Sequence, residues 1–305
     1  MIAAFVISFS ILFYFTLNFD EATVKKNQFY QSHKIKDEKL IFLIGSSHMG
    51  QLNTTHIQKV LDKDGHNYTI YNLAFAGDKP EKRISEIDKI LELEPEMIVY
   101  GLGYRDFSHY SSNRDNILPD LHDEFHSFGQ KMVLGYNLPS NPKFVTLNTI
   151  QDVIRTTERL DSSQSQNRPF FDDDANLSEI KNNDEIIQNF KENDNSHKFD
   201  VRKNVNNINF IALQKILDKL NNQNIDTVIY VTPHHPLFIQ AIEENGKTNF
   251  EIILKLLEDE NMVYNFEEKY NDKEIWADLT HIAYNEKSLE FSEDMAKIII
   301  DNIDS

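Results

Sequence analysis

Short apolar runs closed by glycine or proline recur along the chain, and stretches with helical spacing separate them. Residues 40–45 read LIFLIG, a continuous apolar run ending in glycine, which predicts a strand buried on both faces. Residues 48–64 follow as a helix, with Leu52, Ile57, Val60 and Leu61 as its apolar stripe and Gly65 as its stop. A second strand runs through 68–77 (YTIYNLAFAG) into a glycine turn. Helical spacing returns over 79–93, with Ile84, Ile87, Ile90 and Leu91 on one side. Strands are expected at 97–103 (MIVYGLG), 131–137 (KMVLGYN), 226–233 (DTVIYVTP) and, shorter, 262–266 (MVYNF). Helices are expected at 209–220, 249–257 and 288–303. Strands alternating with helices of roughly ten to fifteen residues predict an α/β fold, a three-layer α/β/α domain around about five parallel strands. No repeat of fixed period is present.

Two stretches break this rhythm. Residues 138–205 are rich in Asn, Asp, Ser and Gln, with helical spacing only near 149–160 and 177–191. They read as an insertion: a polar surface excursion, or a lid or acceptor-recognition arm with Pro169-Phe170-Phe171 as its apolar contact. At the other end, residues 1–19 carry no charged side chain. A helix of that length nearly matches a hydrocarbon core of roughly 30 Å. No basic n-region or small-residue cleavage site marks it as a signal peptide, so a transmembrane anchor is expected at 1–19 and a polar tether at 20–38. The domain proper then spans 39–305, with the insertion at 138–205. Lys25 and Lys26 follow the segment, a charge bias that by itself favours a cytoplasmic domain.

Composition narrows the chemistry. Acidic residues outnumber basic ones 49 to 31, for a net charge of -18, which argues against binding nucleic acid. The absence of cysteine excludes disulfides, Cys-ligated zinc and a thiol nucleophile.

Ligands of open α/β sheets bind beyond the carboxyl ends of the strands. After the first strand stands Gly45-Ser46-Ser47-His48, which puts a serine at a strand-to-helix turn. Either serine could equally cap the helix. Near the C-terminus, Asp278 and His281 stand three residues apart, just before the last helix. A serine nucleophile needs a base within hydrogen-bond reach, and the base needs a third group to fix its tautomer. Asp278 as a turn cap and His281 as a core histidine are the plainer alternatives. The coincidence of all three favours a catalytic triad of Ser47, His281 and Asp278.

These blocks resemble the SGNH (GDSL-like) hydrolases, and the G-S-S form resembles their cell-envelope branch, which includes D-alanine-transfer and alginate O-acetylation proteins. The resemblance covers roughly 39–137 and 206–303. It implies a flavodoxin-like domain, an esterase or O-acyltransferase activity and no cofactor. It also implies an oxyanion hole built from the backbone of Ser47 and of Gly77, the latter in Asn72-Leu73-Ala74-Phe75-Ala76-Gly77. Where the family carries G-x-N-D, this chain reads Gly103-Tyr104-Arg105-Asp106, so Arg105 takes the place of the oxyanion-hole asparagine. Ser46 likewise stands where most members have Asp. The branch further implies an ester-linked acyl substrate on an envelope glycan or lipid, and a domain outside the membrane, against the lysine bias.

His48, His234 and His235 lie at the expected sheet edge as candidate substrate contacts; the last two could equally be turn residues. His122 and His126, four residues apart, invite a zinc reading, but Asp replaces the general-base Glu and no third ligand has a familiar spacing. No metal site is expected. The competing class is a catalytically inactive binding or assembly protein that keeps the fold.

Overall fold

Residues 21–33, 38–109, 168–170, 177–192, 200–201 and 207–304 are described by the structure, a computed structural model of the chain. The chain divides into two compact units, residues 1–32 with 111–164, and residues 33–110 with 165–305. Of the first, residues 21–32 are described; they belong to helix α1, Glu21–His33, within the stretch read as a tether. The expected membrane segment 1–19, the strand at 131–137, the helix at 149–160 and the His122–His126 pair lie outside the described residues. Among the described residues, no helix is long and apolar enough to cross a membrane.

The second unit is built on a parallel sheet of five strands. In chain order these are β1 (Leu40–Ile44), β2 (Thr69–Asn72), β3 (Met97–Leu102), β6 (Asp226–Val231) and β7 (Met262–Asn265). Ser108–His109 (β4) and Asp200–Val201 (β5) form a separate antiparallel pair. The spatial order is β2-β1-β3-β6-β7, every neighbour parallel. The chain winds outward from β1 to β2, then crosses back to β3 on the other side of β1. The carboxyl ends of β1 and β3 therefore flank the switch point, where such sheets open a crevice.

Hydrophobic content decides which strands are central. Ile41, Phe42, Leu43 and Ile44 of β1 have no exposed surface, and Ile98 and Val99 beside them have none either. Burying each such side chain contributes roughly 1.5–3 kcal/mol. Phe42→Ala is expected to cost about 3–5 kcal/mol. By contrast Met262, on edge strand β7, is 56% exposed.

The stretch read as one helix over 48–64 is two: α2 (Ser47–Gly50) and α3 (Thr54–Asp64). Asn53 causes the break, since its side chain accepts the N–H of His56 at 2.9 Å and caps the new helix. Leu52, Ile57 and Leu61 are fully buried as expected, and α3 ends on Gly65 in the left-handed region. The stretch 79–93 also splits, into α4 (Pro80–Arg83) and α5 (Ile87–Leu91). Between them the N–H groups of Ser85 and Glu86 bond back three residues rather than four, to Lys82 and Arg83. Further along come α6 (Tyr104–Phe107), α7 (Asn183–Glu192), α8 (Ile208–Asn222), α9 (Pro236–Ala241), α10 (Glu244–Glu258) and α11 (Leu289–Ile303). Helix α3 packs against α11, and α4 against α8.

Candidate active site

Beyond β1 the backbone is forced by close packing. Gly45 sits at φ +139°, and a Cβ there would stand 2.6 Å from the carbonyl oxygen of Gly101 on β3. Only glycine fits that conformation and that approach. The turn then delivers Ser46 and Ser47 at the switch point. Ser46 is buried, and Ser47 alone in the run 40–52 keeps partial exposure.

The loop after Ile275 is clasped on itself. Trp276 pairs with Ile282 in an isolated antiparallel bridge, and the N–H of Ala277 donates to the oxygen of His281 at 2.9 Å. Inside the clasp, Asp278 Oδ1 accepts the N–H groups of Thr280 at 2.7 Å and His281 at 2.9 Å. The hydroxyl of Thr280 also reaches that oxygen, at 3.1 Å. The carboxylate is thereby fixed, and His281 Nδ1 lies 2.9 Å from its Oδ2 and 3.0 Å from its Oδ1. An ionised carboxylate only accepts, so Nδ1 carries the proton and Nε2 is left as an acceptor. That acceptor stands 2.8 Å from Ser47 Oγ. Residues 234 positions apart thus form one line, Ser47–His281–Asp278. Burial, the largest single influence on Asp278, pushes its carboxyl up. The bond and charge of His281 with the two backbone N–H groups outweigh it and hold the acid well below the usual carboxylate range.

A second serine–histidine pair lies alongside. Ser46 Oγ is 2.8 Å from His48 Nδ1, with Ser46 7% and His48 4% exposed. The His48 ring stacks on His281, centroids 4.7 Å apart and planes 21° from parallel, and leans on His234 at 5.1 Å. His234 in turn stacks on Phe238 at 4.8 Å. Burial above all, then the neighbouring His281, His234 and Arg105, keeps the His48 imidazole far below its ordinary range. For His234, burial followed by Arg105 and His281 pushes it down to about 3. Both are neutral imidazoles at physiological pH. The pairing of Ser46 with His48 has no signature in the sequence.

Arg105, on α6 beyond β3, sits among these rings, its guanidinium 5.9 Å from the Phe238 centroid. Its neighbour Asp106 turns to the backbone and accepts the Gly103 N–H at 2.6 Å. Gly77, exposed at φ +67°, follows β2, where the N–H of Phe75 donates to the oxygen of Gly45 at 3.2 Å. That bond sets the loop against the Ser47 turn. Buried Arg83 anchors the loop from behind, donating to Asp78 Oδ2 at 2.8 Å and to Leu73 O at 3.0 Å.

The three histidines expected as substrate contacts are placed as follows. His235 is a helix cap: its Nδ1 accepts the N–H of Leu237 at 3.2 Å, and Nε2 faces Asn183 Oδ1 at 3.4 Å. His234 is completely buried and His48 nearly so, the His48 ring lying between those of His281 and His234. Among the described residues, no group of three or more metal-binding side chains is arranged to hold a metal ion. A pocket of about 660 Å³ lined by Tyr104, Ile239, Glu251, Leu254, Phe266 and Glu267, among others, includes none of the Ser47–His281–Asp278 line.

No protein-family model matches this chain, and no curated protein does. Among solved structures, a putative acylhydrolase from Bacteroides fragilis is similar at 9% identity and a TM-score of 0.43, covering 91% of this chain and 95% of its own. A GDSL-like lipase from Bacteroides thetaiotaomicron is similar at 9% identity and 0.41, over 92% and 98%. The esterase EstA from Pseudoalteromonas, inhibited by monoethylphosphonate, is similar at 12% identity and 0.42, over 88% and 100%.

Proposed function

We propose that this chain is a serine hydrolase of ester-linked acyl groups, with Ser47 as nucleophile, His281 as base and Asp278 as its orienting carboxylate. The observation that carries this reading is the unbroken line of contacts, 2.8 Å from Ser47 Oγ to His281 Nε2 and 2.9 Å from His281 Nδ1 to Asp278. Ser47 Oγ attacks the acyl carbonyl as its proton passes to His281 Nε2. Asp278 stabilises the resulting imidazolium without taking its proton. The oxyanion falls to the backbone N–H groups of Ser47 and Gly77 and to the guanidinium of Arg105. His281 then returns the proton to the leaving alkoxide oxygen, and an acyl-Ser47 ester remains. Water, activated by the same imidazole, releases the acid.

A sugar or polyol hydroxyl can replace water in the last step, which makes the enzyme an O-acyltransferase. An envelope glycan or lipid as acceptor, reached from a membrane anchor at 1–19 with the domain outside, is the form suggested by the G-S-S resemblance and the uncharged N-terminus.

A fluorophosphonate probe tests the proposal on the full chain. Labelling is expected at Ser47, abolished by Ser47→Ala and by His281→Ala, with slow hydrolysis of p-nitrophenyl acetate lost in parallel. An unlabelled, folded wild-type protein overturns the enzyme in favour of a binding or assembly module.

A further inference from the structure

Residues 168–170 and 177–192, read from sequence as part of a polar insertion, are built into the frame of the candidate triad. Arg168 is only 4% exposed. Its Nη2 donates to the carbonyl oxygen of Gly50, the last residue of α2, the helix that begins at Ser47. The same guanidinium lies over the ring of Tyr284, 4.2 Å from its centroid. Tyr284 stands three residues beyond His281, just past the Trp276–Ile282 bridge that clasps the loop. One buried side chain therefore touches the nucleophile's helix on one side and the acid–base loop on the other.

The residues that follow hold that loop at both ends. The N–H of Tyr284 donates to the oxygen of Leu177 at 2.8 Å, and Asn285 Nδ2 donates to Ser178 O at 3.1 Å. At the other end, the N–H of Lys181 donates to the oxygen of Trp276 at 2.9 Å. Ile186 on α7, 1% exposed, seats the stretch in the core. These bonds bracket the loop that carries Asp278 and His281 and leave its tip to the triad.

We infer that Arg168 is a positioning residue: it sets the separation between Ser47 and His281 by tying α2 to the Tyr284 end of the acid–base loop, and 177–181 hold that loop in place. The inference rests on the triad reading above. A guanidinium suits the task because its plane stacks on a ring while its edge donates to a carbonyl. A lysine ammonium has no such plane, so it serves the ring and the carbonyl together less well. Geometry of this kind controls rate strongly, since a shift of about 1 Å at the reacting atoms can cost on the order of 100-fold.

The test measures the second-order rate constant for fluorophosphonate labelling of Ser47 in the full chain, with kcat and KM on p-nitrophenyl acetate and the thermal midpoint. Arg168→Met is expected to lower labelling and kcat by roughly 10- to 100-fold with KM within about twofold. Arg168→Lys should fall between it and wild type. Tyr284→Leu should reproduce the loss, and Arg168→Met with Tyr284→Leu should lose little more than either alone, since they cut one tie. A folded Arg168→Met protein labelled at the wild-type rate overturns the inference, as do losses that simply multiply. Should Arg168→Met fail to fold, Tyr284→Leu decides: unchanged labelling overturns the tie and slowed labelling supports it. Wild-type protein that does not label at Ser47 fails at the first step and takes both readings down, an outcome distinct from wild-type labelling with insensitive variants.

Discussion

Two serine–histidine pairs stand side by side at the end of β1, and each closes to 2.8 Å. Ser46 with His48 is local, two residues apart and buried. Ser47 with His281 spans 234 residues and opens to solvent at the serine. The bond length is the same, so it does not distinguish them. What differs is the far side of each imidazole. His281 presents Nδ1 to a carboxylate held by two backbone N–H groups, whereas His48 spends Nδ1 on the serine itself and turns a face to His281. A base that must become a cation needs the first arrangement; a neutral wall suits the second.

The largest expected effect exploits that contrast directly. Ser47→Ala should lower hydrolysis of p-nitrophenyl acetate on the order of 10⁴-fold, while Ser46→Ala stays within about threefold of wild type. Steady-state rates for the two purified variants decide it, and the reverse ranking would exchange the roles of the two pairs. Asp278→Asn comes next, at on the order of 10³- to 10⁴-fold in kcat, because the amide keeps the shape yet upsets the tautomer of His281. An Asp278→Asn protein with near wild-type kcat removes the feature that separates the pairs. Arg105→Ala follows, with roughly 10²- to 10³-fold lost from kcat and little change in KM if the guanidinium meets the oxyanion. A KM effect alone would assign Arg105 to substrate binding instead.

The sequence made one side of this contrast legible and hid the other. Apolar runs closed by glycine or proline located β1, β2, β3 and β6; the strand-end rule then pointed to Ser47, and the family resemblance to Arg105. Asp278 and His281 were readable because a carboxylate and a base three residues apart ahead of the last helix form a local pattern. Ser46–His48 escaped notice because two residues of common type, next to a better candidate, carry no periodicity. Arg168 escaped for a different reason: its partner Gly50 is 118 residues away, and a single tertiary hydrogen bond leaves no trace in spacing. His235 was readable as either turn residue or substrate contact. Its cap bond to Leu237 depends on a side-chain rotamer that the sequence leaves open. The helix breaks at Asn53 and after Arg83 were missed because the apolar stripe continues through both.

The smallest expected effect carries the comparison to the carboxylates. Asp278 is held down by an imidazole and backbone donors; Asp106 has one backbone donor and almost complete burial. Burial dominates there, reinforced by the charge of Asp78 and only partly offset by the Gly103 N–H, Lys79 and Arg105, and it raises the Asp106 carboxyl from 3.8 to about 7. A carboxyl whose folded pKa lies above its unfolded value favours the folded state when protonated. Its contribution is therefore fully present below about pH 4 and is lost as pH rises through about 7. Asp106→Asn imitates the protonated acid, because an amide oxygen can still accept the Gly103 N–H without carrying charge. The variant should match wild type near pH 4 and become the more stable of the two above pH 7. At about 1.4 kcal/mol per pKa unit the gap is a few kcal/mol at most. Urea unfolding of both proteins from pH 4 to 8.5 measures it. A gap that is constant across this range, or that opens towards acid, would show that Asp106 is ionised throughout and that its bond to Gly103, not its burial, governs its proton.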